Sequence, residues 1–114
     1  MNQDSPLPAI ESHSAVIFED EIWPKILIFG GYSKGRFCND IYTYDIYKEE
    51  WKKIEQGEKI PEPRIAHAVC VYNGNMYLFG GKTQDAKHLN DLWVYNIKEN
   101  IWNQIIPDGE IPKV

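Results

Sequence analysis

Apolar and polar positions alternate along two stretches of the chain, and they do so in the same order each time. Leu27 to Trp51 reads LIFGGYSKGRFCNDIYTYDIYKEEW, and about fifty residues further on Tyr77 to Trp102 reads YLFGGKTQDAKHLNDLWVYNIKENIW. Within each copy the apolar side chains recur at every second residue over short runs, the period of a half-buried strand; no helix-length stretch holds a 3.6-residue period. In the second copy this pattern predicts strands over His67 to Tyr72, Met76 to Phe79, Asp91 to Asn96 and Ile101 to Ile105. Asn73-Gly74-Asn75 supplies residues that accept positive φ for a tight hairpin, and Ile97 to Asn100 makes a short turn.

Aligning the copies pairs His13 with His67, Phe29-Gly30-Gly31 with Phe79-Gly80-Gly81 and Asn39-Asp40 with Asn90-Asp91. Tyr44 pairs with Tyr95, Ile46 with Ile97, Trp51 with Trp102 and Ile54 with Ile105. Length changes between the copies fall between apolar runs, where loops tolerate insertion. Each copy is thus a unit of about fifty residues with four antiparallel strands, which is what a propeller blade requires. The fold class is all-β: two four-stranded antiparallel blades of a β-propeller, incomplete as a single chain.

The order Pro63-Arg64-x-x-His67, Tyr77-x-Phe79-Gly80-Gly81, Asn90-Asp91-Leu92-Trp93, Tyr95 and Trp102 resembles the kelch motif of β-propellers. It is closest to the longer variety introduced by a Gly-Glu and Pro-x-Pro-Arg segment, here Gly57-Glu58-Lys59-Ile60-Pro61-Glu62-Pro63-Arg64. The lead-in recurs at Gly109-Glu110-Ile111-Pro112, and Ser5-Pro6-Leu7-Pro8 departs from it by lacking the Arg. The expected organisation is a lead-in over 1–12, blade one over 13–56, blade two with its lead-in over 57–108, and the start of a third lead-in over 109–114. Propellers typically close with 4 to 8 blades. Remaining blades are therefore expected from the same longer chain or from homo-oligomer partners.

The repeated letters read as scaffold. The Gly pair at a strand end permits torsions and close backbone contacts denied to other residues. Tyr44, Trp51, Tyr95 and Trp102 fill the widening gap between outer blade edges, each burying ~150–250 Å². Asn39-Asp40 and Asn90-Asp91 stand just before the third strand, where short polar side chains can bond backbone amides. His13 and His67 are read as hydrogen-bonded structural residues, and Arg64 as a residue that orders the inter-blade loop through carbonyls or a carboxylate such as that of Glu62.

Composition narrows the function. Aromatics at 13%, Trp23 among them, and a hydrophobic fraction of 43% exclude a disordered chain. A formal net charge of -5 makes nucleic acid a poor partner. No signal-like start and no stretch of ~20 apolar residues is present, so a cytoplasmic, soluble protein without a membrane is expected. Cys38 and Cys70 form no CxxC pair, and Cys70, in an apolar run, reads as a small core residue. Three His are too few and too scattered for a copper site; Asp85 and His88 alone make a poor metal site. No phosphate loop, nucleophile elbow or paired acid and base is present. No catalysis, cofactor or metal is expected of these residues; the alternatives are a non-catalytic portion of a propeller enzyme whose active site lies on other blades, or a self-assembling subunit that completes a ring from several copies.

Recognition remains. In the kelch family the loops between second and third strands, and those between blades, tend to form the partner-holding face. On this chain they are Tyr32 to Cys38, Lys82 to Leu89 and Glu55 to Ala66. The resemblance implies a protein or peptide partner. Tyr32, Lys34, Arg36, Phe37, Lys82, Gln84, Lys87 and His88, with Arg64 in the motif position, are the candidate contact residues. The two loops between strands are basic within an acidic chain, which points to an acidic partner segment; the alternative is that Phe37 packs back on the blade and the lysines are solvated.

Overall fold

The computed structural model describes residues 13–19 and 24–106. Trp23, the first lead-in and the third lead-in lie outside the described residues. Eight strands follow in order: β1 (Ser14–Glu19), β2 (Pro24–Ser33), β3 (Arg36–Asp45), β4 (Glu50–Ile54), β5 (Ala68–Tyr72), β6 (Asn75–Lys82), β7 (His88–Asn96) and β8 (Ile101–Ile105). They form two antiparallel meanders, β1-β2-β3-β4 and β5-β6-β7-β8, with no helix among the described residues. The two blades meet along their first strands, β1 against β5.

Period-two alternation decides which side chains lie between the blades. Leu27 and Phe29 on β2 and Ile41 on β3 face blade two, which answers with Met76, Leu78, Tyr95 and Trp102. Fully burying each apolar side chain of this size is worth about 1.5–3 kcal/mol, so this one inter-blade core binds the sheets into a unit. Trp102 sits edge-on to Phe29 at 5.4 Å and lies tilted against Tyr95 at 4.8 Å, the cross-strand partner that the register gives it. The matching pair in blade one, Tyr44 and Trp51, meets in the same tilted arrangement at 4.7 Å. By parity it lies on the face turned away from blade two.

Turn chemistry repeats as well. Lys34-Gly35 and Asn73-Gly74 all have positive φ, as two-residue hairpins require. At the other turns the Asp45 carboxylate accepts from the Lys48 amide at 2.9 Å, and Asn96 Oδ1 accepts from the Glu99 amide at the same distance. Each turn closes through a positive-φ residue, Glu49 or Asn100.

Four sequence expectations need correction. Strand β6 starts at Asn75 and continues through the Gly pair to Lys82, and β7 begins at His88, because the pair forms a bulge after which pairing resumes with Leu89. The expected loops shrink to residues 34–35 and 83–87. Asn39, Asp40, Asn90 and Asp91 consequently lie inside strands, and none stands before one. Cys70 is exposed, because Val69 and Val71 take the inward parity of β5 and turn Cys70 to the opposite face. His67 lies just before β5 and not within it.

Candidate functional site

The connection between blades is held by a buried guanidinium. Arg64 is fully buried, and its Nη1 and Nη2 donate to the two carboxylate oxygens of Asp91 at 2.7 and 2.9 Å. Nη1 also donates to the Gly80 carbonyl at 2.9 Å, and Nε donates to the Glu62 carbonyl at 3.1 Å. The expected carbonyl contacts are present, while the carboxylate is Asp91 and not Glu62. With its guanidinium committed in this way, Arg64 is not available to a partner. Burial alone would raise the Asp91 pKa, but the bonds from Arg64 and from the Trp93 indole outweigh it and hold the carboxyl below its ordinary range. In blade one the matching Asp40 makes only a 3.9 Å contact to Lys53 among the described residues.

Backbone pairing completes the stitch. The Arg64 amide donates to the Cys38 carbonyl and its own carbonyl accepts from Gly31, while Ile65 and Lys82 exchange two hydrogen bonds. A Cβ on Gly30 would come within 2.9 Å of the His67 ring, and one on Gly81 within 2.7 Å of the Ile65 carbonyl oxygen. The Gly pairs are therefore crossing points for the inter-blade chain. Asn39 Nδ2 donates to the Pro61 carbonyl at 2.9 Å, and the Asn39 carbonyl accepts from Gln56 at 2.8 Å, so the Asn also anchors the connection. These partners are carbonyls and side chains where backbone amides were expected.

His67 spans the blades. Its Nε2 lies 3.1 Å from the Phe29 carbonyl, which can only accept, so this nitrogen carries the proton; it also lies 2.7 Å from Ser14 Oγ. Nδ1 is buried without a partner. A proton there would be desolvated and unpaired, and burial accordingly lowers the pKa to about 4. The unfolded chain takes that proton near 6.5, so between pH 6.5 and about 4 it binds more protons than the folded chain. Stability is expected to fall by about 2 kcal/mol as pH drops through that window, after discounting for partial solvent screening. Asp91, with its lowered pKa, adds a further loss below its ordinary value of 3.8. Urea midpoints at pH 7, 5.5 and 4.5 check this: His67→Gln should flatten the slope above pH 4, and an unchanged slope would remove His67 as its source.

The candidate contact residues gather at one end of the pair. Tyr32 and Phe37 pair across the β2–β3 hairpin and meet edge to face at 6.0 Å, both half-buried; Lys34 and Arg36 stand exposed beside them. Gln84, on the loop at residues 83–87, reaches the first hairpin: its Oε1 accepts from the Phe37 amide at 3.0 Å and its Nε2 donates to the Gly35 carbonyl at 2.8 Å. The 83–87 loop is itself braced by Thr83, which bonds Asp85 and the Lys87 backbone. Phe37, Glu62, Pro63, Thr83, Gln84 and Asp85 enclose a shallow groove of about 380 Å³. Lys87 and His88 are exposed and do not line it, while Lys82 is half-buried and paired with Ile65. The groove itself is thus lined by two carboxylates, Glu62 and Asp85, and by no cation, and Lys34, Arg36 and Lys87 stand outside its lining. Among the described residues no group of three or more His, Cys, Asp or Glu is placed to hold a metal.

Comparison with known proteins places this geometry. A family model describing the KLHDC2/KLHL20/DRC7 Kelch-repeats domain matches residues 1–114. The chain is 35% identical over 77 residues to Kelch domain-containing protein 3 of Homo sapiens, covering 67% of this chain and 20% of that protein. It is 31% identical over 108 residues to the Leucine-zipper-like transcriptional regulator 1 homolog of Drosophila melanogaster, 88% of this chain and 11% of that one. A relative from Thlaspi arvense, 32% identical over 93 residues (75% of this chain, 27% of the relative), is named N-(sulfonatooxy)prop-2-enimidothioate sulfolyase, an enzyme. The chain spans about a fifth of the length of Kelch domain-containing protein 3. Kelch-repeat domains generally serve protein interaction and are typically non-catalytic. The repeated Gly pairs, the Arg64 lock and the family match together establish that this chain belongs to the kelch-repeat family, as two four-stranded blades of its β-propeller.

Proposed function

We propose that the loop end around Phe37 presents this blade pair to a partner protein or peptide, and that the pair itself performs no catalysis. The observation carrying this reading is the Gln84 bridge, which joins loops from two blades into one preorganised surface before any partner arrives. Exposed Lys34, Arg36 and Lys87 favour carboxylates on that partner, with an apolar side chain seated against Phe37. Arg36→Glu with Lys87→Glu should weaken binding of an identified partner by about tenfold or more while the melting profile stays unchanged. Unaltered affinity would take these loops out of the site.

Further blades, from the same polypeptide or from other copies, are part of the reading. By parity Tyr77, Phe79, Leu92 and Val94 form the far face of blade two, and they repeat the positions of Leu27, Phe29, Ile41 and Thr43 that meet blade two from blade one. A cytoplasmic setting is also proposed; both cysteines are free.

A further inference from the structure

We infer that the free edge of β8 is a homodimer interface, at which β8 pairs antiparallel with β8 of a second copy of this chain across a two-fold axis through Asn103. Each blade ends in an edge strand, β4 in blade one and β8 in blade two, at matching positions of the repeat. An edge strand offers a row of backbone N–H and C=O groups to any strand that can approach, and charged side chains are one ordinary means of preventing it. Strand β4 is protected in that way: it reads Glu50-Trp51-Lys52-Lys53-Ile54 and is followed by Glu55. Strand β8 reads Ile101-Trp102-Asn103-Gln104-Ile105 and is followed by Ile106. All four charged positions are thus replaced, Glu50 by Ile101, Lys52 by Asn103, Lys53 by Gln104 and Glu55 by Ile106.

The order of residues identifies the occupant. Antiparallel pairing about Asn103 sets Ile101 opposite Ile105 on both sides of the axis, Trp102 opposite Gln104, and Asn103 opposite itself. Apolar then meets apolar, and the amide on the axis meets one that can both donate and accept. The same operation on β4 would set Lys52 against Lys52, a destabilising pair. Ile101, Asn103 and Ile105 share the far face of blade two with Leu92, Val94 and Asn96, and short of the bulge at the Gly pair no residue on that face of β5 to β8 is charged. In a chain with 25% charged residues and a net charge of -5, this is a strip along which two copies approach without like-charge contacts. Pairing also covers apolar surface, since Ile101 is 48% and Ile106 81% exposed. The strand is held ready for it: Trp102 packs edge-on to Phe29, and its indole donates to Gln56 Oε1 at 2.7 Å. Asn103 is exposed, and its side chain has no partner among the described residues.

The test is sedimentation of the 114-residue chain over a concentration series, where a dimer that dissociates on dilution is expected. Asn103→Lys places a cation against itself on the axis and should weaken the dimer about tenfold or more, and Asn103→Asp should do the same with an anion. Mixing the two variants in equal amounts should restore the dimer, because an axis through this residue brings the opposite charges face to face. Restoration shows at the same time that both variants are folded. Lys53→Asn, at the edge of β4, should leave dimerisation unchanged, as should Arg36→Glu with Lys87→Glu, so this interface and the loop end fail or stand separately. Head-to-tail addition of blades from other copies would instead give assemblies larger than a dimer, with no recovery on mixing. A chain that stays monomeric throughout the series, a dimer or larger assembly that both Asn103 variants leave intact, or variants that stay apart when mixed would overturn the inference.

Discussion

Arg64→Ala is expected to lower the unfolding free energy by about 3–5 kcal/mol, the largest effect of any single side-chain truncation in the chain. Three losses coincide at this position. Asp91 loses the partner that holds its charge, the Gly80 carbonyl loses a donor, and the space of a fully buried Arg is vacated. Asp91→Asn should cost a comparable amount, because it leaves a buried guanidinium without its counter-charge. Arg64→Met combined with Asp91→Leu should recover much of the loss, since it removes both desolvated charges and refills the space. Urea unfolding of the unaltered chain, Arg64→Met, Asp91→Leu and the double variant gives a coupling energy expected to exceed about 2 kcal/mol. If Arg64→Ala cost less than about 1 kcal/mol, the guanidinium would not be the inter-blade lock.

Gly81→Ala is expected to cost about 2–4 kcal/mol although it adds one methyl group. Gly81 has φ +108 and its new Cβ would lie 2.7 Å from the Ile65 carbonyl oxygen and 3.1 Å from His67 Cβ. Both obstacles belong to the connection between blades, so relief requires that connection to lift. Gly35→Ala is the control: its φ is +83 but nothing lies within 4 Å, and only the backbone term of about 1–2 kcal/mol applies. Equal destabilisation by the two would mean that torsion alone, and not the crossing chain, selects glycine at residue 81.

The fold was legible because its signals repeat: two copies of one alternation and one set of turn residues. Strand ends were less legible at the Gly pairs, since a bulge resumes the ladder beyond them and the sequence shows only a break in apolar alternation. Cys70 was misplaced for a related reason: the run HAVCVY is apolar throughout, and only the register with Tyr77 decides which residues face blade one. Arg64 could be placed at the connection from its motif position. Its partner could not, because Asp91 is 27 residues away and the choice over nearby Glu62 depends on how β7 passes the connection. The Gln84 bridge had no sequence signal, as it depends on loops nearly fifty residues apart lying side by side.

The most direct test of the interaction surface is site-specific photo-crosslinking in cells expressing the chain, with p-benzoylphenylalanine placed at residue 36 or, as the reference, at residue 99, exposed in the turn at the opposite end. A loop end built for a partner predicts a discrete adduct at residue 36, absent at residue 99, whose crosslinked peptide is acidic and is lost with Lys87→Glu. The same adducts at both residues, or none at residue 36, would contradict it.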